Sequence, residues 1–327
     1  MGRQVRLLVE GVQARVALAA VLGAFAPTGG LDELQQAVFD GIAAQLYGLD
    51  LEAEPLRPLS APELMARDPG PVVRRQAVHL MSVLEMVVHD LRPEVPVSIE
   101  HYAHAVGVDL GLLRDSRERA RHHIPLYYAD LQRSSWYTEQ TIRASLHGAF
   151  TELVRSKIAY SRIAGDQAIA TRWRSLRDCP PGSLGRGVAD FYERHHFPFP
   201  GERGGIYEIG AKHDFVHVLT DYEATPEGEI DVFAFIAASM PDEKGLVLLA
   251  VTLGLFQNGA IHRVAGKRVK IARADTLTDP GAVDHFATAL ARGSACAVDV
   301  MGGIDHFALA PEPLEEVRAR FNIAPVG

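Results

Sequence analysis

The chain has 327 residues, 47% of them hydrophobic and 23% charged, with a formal net charge of −8. That profile is of a globular protein and excludes disorder as the organising state, while the acidic balance argues against nucleic acid as a partner, which calls for a basic surface. A length beyond the ~250–300 residues at which single cores stop growing points to two domains.

The first half predicts helices throughout. Val5–Phe25 is an Ala/Leu/Val-rich helical run stopped at Pro27-Thr28-Gly29-Gly30. Leu31–Tyr47 follows, with Leu34, Val38, Ile42 and Leu46 recurring on one face. A proline-rich connection over Pro55–Pro71 leads to Val72–Leu91, whose stripe is Val73, Ala77, Leu80, Leu84 and Val87-Val88, and Pro93 and Pro96 end it. Ser98–Ala105 and Leu110–His122 read as shorter helices. Residues 130–178 read as further helix and carry a dispersed basic set, Arg133, Arg143, Arg155, Lys157, Arg162, Arg172, Arg174 and Arg177. Dispersed charges of this kind describe a solvated helix face better than a binding patch for an anion.

Cys179-Pro180-Pro181-Gly182-Ser183-Leu184-Gly185 is the clearest break in the chain. Beyond it come a helix over Leu184–His195, an aromatic Pro/Gly loop over His196–Gly205, and a segment Gly205–Asp221 that holds paired histidines. Two strongly apolar helices, Glu227–Ser239 and Glu243–Phe256, precede a basic stretch, Ile261–Arg273, that suits a solvated loop or strand. The tail closes on an amphipathic segment with Leu314, Val317 and Phe321.

Cys179 and Cys296 form no CxxC pair, so neither a thiolate zinc site nor a disulfide framework is expected, and a reducing cytoplasmic setting fits. The charge-free stretches Val16–Leu31 and Gly245–His262 fall short of the ~20 apolar residues of a membrane span. Arg3, Arg6, Glu10 and Arg15 interrupt the N-terminal apolar residues, unlike a secretory signal. No phosphate-cradling glycine loop and no nucleophile elbow occurs.

His213-Asp214-Phe215-Val216-His217, with Glu229 downstream, carries the chemistry. Histidines four residues apart share one face of a helix, because 3.6 residues make a turn. Imidazole nitrogens and carboxylate oxygens at this spacing suit Zn²⁺ or another borderline divalent ion. Thr225-Pro226-Glu227-Gly228 can end one helix and start the next, placing Glu229 in a first turn from which it can approach the histidine face. The pattern is close to H-E-x-x-H, where the acid is the general base of a zinc protease. Asp214 is one methylene shorter and reaches a bound water less easily, so it serves as ligand, orienting partner or base.

With its flanks the segment resembles the coenzyme Q biosynthesis protein 4 family, whose signature is H-D-x-x-H-x₁₁-E. His213, Asp214, His217 and Glu229 match it position for position, and Gly182-Ser183-Leu184-Gly185-Arg186 and the closing Leu314–Ile323 segment match in kind. The resemblance covers roughly residues 150–327. It implies an all-helical domain in which those four residues bind a divalent metal, zinc first, beside an apolar cleft for a prenylated lipid. It further implies a role in ubiquinone biosynthesis, with oxidative decarboxylation at C1 of a polyprenyl-benzoate ring, a peripheral membrane contact, and assembly as a homodimer or with other biosynthetic enzymes. Two alternatives stay open: a lipid-binding scaffold braced by a structural metal, and a metal-dependent hydrolase. Ile230, Val232, Phe233, Phe235, Ile236 and the apolar positions of Glu243–Phe256 either line the cleft or fill a core.

The first half is weakly similar to TerB-like tellurite-resistance domains, through Gly29-Gly30-Leu31-Asp32-Glu33-Leu34 and the Glu100–Gly107 helix. The expectation is therefore an all-α protein: a helical bundle over residues 1–140, then a helical metal- and lipid-binding domain over 141–327. Of the other histidines, the adjacent pairs His122-His123 and His195-His196 point apart on a helix and seldom share a metal. His262, His285 and His306 are isolated, and Asp305-His306 is the pair whose position in the tail could bring it back to the site.

Overall fold

The computed structural model describes residues 11–88, 92–109, 166–203, 205, 208–240, 244–257, 263–264, 267–268 and 275–326. The protein is all-α. Its helices are α1 Val12–Phe25, α2 Glu33–Tyr47, α3 Ala61–Ala66, α4 Pro71–Met86, α5 Glu94–Ala105, α6 Gln167–Arg174, α7 Leu184–Arg194, α8 Glu208–Thr220, α9 Pro226–Ser239, α10 Lys244–Phe256, α11 Ala282–Ala295, α12 His306–Leu309 and α13 Leu314–Phe321. A minimal antiparallel hairpin, β1 Arg263–Val264 with β2 Lys267–Arg268, sits in the basic stretch where a loop or strand was expected. No helix among the described residues is long and apolar enough to cross a membrane.

The chain forms two compact units, one from Met1–Tyr128 with Glu229–Ser294, the other from Ala129–Gly228 with Ala295–Gly327. The motif histidines belong to the second unit, and Glu229 opens the segment that belongs to the first. The boundary expected at 140/141 and the helix expected over Leu110–His122 lie outside the described residues, as do His122, His123, His262 and the basic positions from Arg133 to Arg162.

Local chemistry explains most helix ends. Asp32 and Gln35 form a capping box at α2, and Ser60 and Glu63 form another at α3, satisfying backbone N–H groups that a helix start leaves without partners. The second box makes a helix inside the proline-rich connection, where none was expected. Pro96 does not end a helix either. It occupies the first turn of α5, where its missing N–H costs no hydrogen bond. Helix α11 was not expected and is a full element, with Val283, Phe286, Ala287 and Leu290 recurring on one face.

In the first unit α1 packs on α3, α4 and α5, α2 packs on α4, and α10 packs on α4. Small residues on α1 permit close approach: a Cβ on Gly23 would lie 1.7 Å from the Leu59 carbonyl oxygen. The stripe Val73, Ala77, Leu80, Leu84 and Val87 is buried as expected. Ile230, Val232, Phe235 and Ile236 on α9 and Leu246, Leu249 and Leu253 on α10 are also buried, which makes them core. Each such side chain contributes roughly 1.5–3 kcal/mol by leaving water.

The second unit gathers α6, α7, α8, α12 and α13. Its centre is Trp173, whose ring lies 5.5 Å from Phe215, 5.8 Å from Tyr192 and 5.3 Å from Phe307, with the Trp173 indole N–H donating to Glu208 at 2.8 Å. The Gly182–Arg186 segment and the tail are joined by main-chain bonds: Leu184 N–H to Glu312 O, Gly185 N–H to Ala310 O, and Leu314 N–H to Gly182 O. Glycine is required at 185, because a Cβ there would meet Cys179 Sγ at 2.7 Å and Ala310 O at 2.9 Å. A Cβ on Gly187 would meet Val218 at 2.8 Å, so α7 lies close against α8.

Candidate metal centre

Helix α8 carries the histidine pair. Donor atoms of His213, Asp214 and His217 all lie within 4.8 Å of one another, a grouping that could hold a metal ion. Asp214 and His217 are buried at 5% and 1% exposure, and the His213 side chain keeps 15%.

The hydrogen bonds around the rings determine what each offers. His213 Nδ1 lies 2.6 Å from the Gly210 carbonyl oxygen, and His217 Nδ1 lies 2.9 Å from the Tyr222 carbonyl oxygen. A carbonyl only accepts, so both Nδ1 atoms carry the proton and donate it. In the neutral ring the proton then leaves Nε2 as the lone-pair nitrogen. This is the arrangement metal-binding histidines adopt, with the far nitrogen bonded to a carbonyl or carboxylate that sets tautomer and ring angle. His213 Nε2 faces Asp214 Oδ1 at 3.3 Å.

Asp214 Oδ2 accepts from the Tyr192 hydroxyl of α7. Burial, and then the Asp214 charge, push the Tyr192 phenol well above its ordinary range, so it remains a donor. Phe191, the preceding residue on α7, stacks on His217 with ring centres 5.3 Å apart. The Tyr192 ring stacks on Phe199 with centres 4.8 Å apart. There Tyr192 also borders an open groove of about 430 Å³ lined by Arg177, Glu193, His196, Phe197 and Phe199. Thus Tyr192 stands between a solvent-facing groove and the carboxylate.

Glu229 lies in the first turn of α9, as the sequence implies, at the opening residue of the first unit's returning segment. Tyr192, Phe191 and the Tyr222 carbonyl were not anticipated. Nothing local marks them, because their role comes from the docking of α7 on α8 and from the turn after Thr220. The adjacent histidines diverge as expected, His195 bonding Glu223 at 3.1 Å while His196 borders the groove. His306 packs against Phe215, with ring centres 5.1 Å apart, and His285 is exposed. The basic positions that are described are paired: Arg172 with Glu208, Arg174 with Glu202 at 2.6 Å, and Arg177 with Glu193 at 2.7 Å.

No protein-family model matches the chain, and no curated protein matches it.

Proposed function

We propose that the chain is a metal-dependent protein in which His213, Asp214 and His217 hold a divalent ion, Zn²⁺ by its donor set. The observation that carries this reading is that both imidazoles direct Nδ1 at main-chain carbonyls while donor atoms of the two rings and of the buried Asp214 carboxylate lie within 4.8 Å of one another. Two neutral nitrogens and one anionic oxygen suit a borderline cation, whereas Ca²⁺ and Mg²⁺ favour oxygen-rich sites. The spacing through Glu229 brings the quinone-precursor reading with it. The substrate on this reading is a prenylated aromatic head group, and the chemistry is oxidative decarboxylation at C1, in which the carboxyl group leaves as CO₂ and an external two-electron oxidant takes up the electrons.

When bound, the ion would supply Lewis acidity to a carboxylate or phenolate oxygen of that ring. The residues of the chain do the rest. Tyr192 donates its hydroxyl to Asp214 and fixes the direction of Oδ2. Phe191 covers one face of the His217 ring and keeps water from it. Asp214, with Oδ1 turned to His213, serves as ligand or as the acceptor of a proton from the head group.

The test is titration of metal-stripped protein with Zn²⁺, with elemental analysis and native mass spectrometry for co-purified lipid. We expect one Zn²⁺ per chain, lost in His217→Ala. Full occupancy in that variant would place the metal elsewhere. Zn²⁺ binding at four tight protein ligands, with no prenylated aromatic bound or turned over, would favour the scaffold with a structural metal.

A further inference from the structure

Helix α8 ends at Thr220, and like any helix it leaves its last carbonyls without partners inside the helix. Two of these are taken by one side chain from far along the chain. Arg318 of α13 donates from Nε to the Leu219 carbonyl oxygen at 3.0 Å and from Nη2 to the Val218 carbonyl oxygen at 2.8 Å. Nη2 also meets the Asp221 carboxylate at 2.5 Å, and Nη1 meets Glu315 at 2.7 Å. Arg318 is 7% exposed, so these bonds are made largely out of water and are charge-assisted.

The position of this clamp matters for the candidate site. Asp221 has φ 61°, a left-handed conformation that turns the chain sharply after Thr220. The next carbonyl, that of Tyr222, is the one His217 Nδ1 donates to. Arg318 therefore grips the two carbonyls before the turn and the side chain at the turn, and the acceptor that sets the His217 tautomer comes directly after. A single planar fork reaches all three groups; a lysine ammonium in its place could satisfy fewer of them.

We propose that Arg318 is a positioning residue for the metal site, fixing through the Asp221–Tyr222 turn which ring nitrogen of His217 is presented to the ion. This rests on His217 being a metal ligand. Arg318 touches no ligand atom itself; it acts through the turn. It also gives the closing helix a purpose: α13 is held to Gly182 through Leu314 and braces the end of α8 through Arg318.

The experiment uses the full chain with Arg318→Met, which keeps the stem, and Arg318→Lys, which keeps the charge. The histidine tautomers are read by ¹⁵N–¹H long-range NMR on metal-free protein, the His217 signals being identified by their loss in His217→Gln, and Zn²⁺ affinity is measured separately. Wild type should show His217 protonated on Nδ1. Arg318→Met should show a mixture of tautomers and Zn²⁺ binding weaker by about 10–100-fold, the usual cost of losing support behind a ligand, with Arg318→Lys between it and wild type. A lower Tm with wild-type tautomer and wild-type affinity would make the clamp merely structural and overturn the proposal. If Arg318→Met does not fold, Arg318→Lys decides: an unchanged tautomer and affinity there overturns it as well. Tautomer loss in a protein that binds no Zn²⁺ would sink the metal reading and leave the positioning role standing. Zn²⁺ bound with neither variant disturbing His217 would do the reverse.

Discussion

Asp214 has two carboxylate oxygens, and the structure gives them different neighbours: Oδ1 faces His213 and Oδ2 takes the Tyr192 hydroxyl. Removing that hydroxyl leaves a buried anion short of one donor, which costs about 1–3 kcal/mol. Tyr192→Phe should therefore lower stability by that amount in urea unfolding, and weaken Zn²⁺ binding because the carboxylate is no longer oriented. Unchanged Zn²⁺ affinity in a stable variant would remove Tyr192 from the site. His306 makes a separate prediction. Burial among Phe215 and its neighbours, and then the Lys212 charge, push its pKa from 6.5 down to about 4, against smaller opposing contributions from the Val300 backbone and Asp305. The unfolded chain thus binds a proton that the folded chain refuses between pH 6.5 and about 4. Stability rises with pH in that window, and falls as pH drops through it, by up to about 3 kcal/mol. His306→Phe should flatten this part of the pH–stability curve, and an unchanged slope would assign it to other groups.

At the scale of elements, the site depends on close helix contacts that bulkier residues would prevent. Gly185 lets α7 lie against the segment that precedes α13, and Gly187 lets α7 approach α8 near Val218. Gly185→Ala puts a methyl group within 3 Å of Cys179 Sγ and the Ala310 main chain. Overpacking of this kind costs typically about 1–3 kcal/mol, and the strain should appear as a lowered Tm. The main-chain bonds from Leu184 to Glu312 and from Gly185 to Ala310 should lose hydrogen-exchange protection before those of α1 and α4 do. Wild-type stability with unaltered protection would show that the tail is held by other contacts. Helix α8 itself presents the candidate ligand residues on one face and core on another, since Phe215, Val216 and Leu219 are fully buried. Its rings are therefore held on a rigid element rather than on a loop.

For the whole molecule, a metal that binds the native state alone stabilises it by mass action, by about 2.7 kcal/mol at a hundredfold excess over its Kd. Zn²⁺ should produce that gain in calorimetry, reversed by a chelator, with the added protection concentrated on α7, α8 and α13. A gain spread evenly over α1–α5 would point to a different site. Much of this was legible in the sequence. The all-α class, the Val73-to-Val87 stripe, the break at Cys179–Gly185 and the pairing of His213 with His217 on one face follow from periodicity, turn residues and 3.6-residue geometry, all of them local properties. The capped α3 and the harmless Pro96 were missed because a cap satisfies a helix start that composition argues against, whereas α11 was legible in its Val283, Phe286, Ala287 and Leu290 spacing and was passed over. The sequence by itself determined that one helix would present two imidazoles and a carboxylate. For His213 the acceptor is local, the Gly210 carbonyl one turn back on the same helix, but for His217 the tertiary structure decided it, because the Tyr222 carbonyl is placed by a left-handed residue at 221 and by an arginine about a hundred residues away in the chain. Protonation is set by the groups that surround a ring, and those groups come together only when the chain has folded.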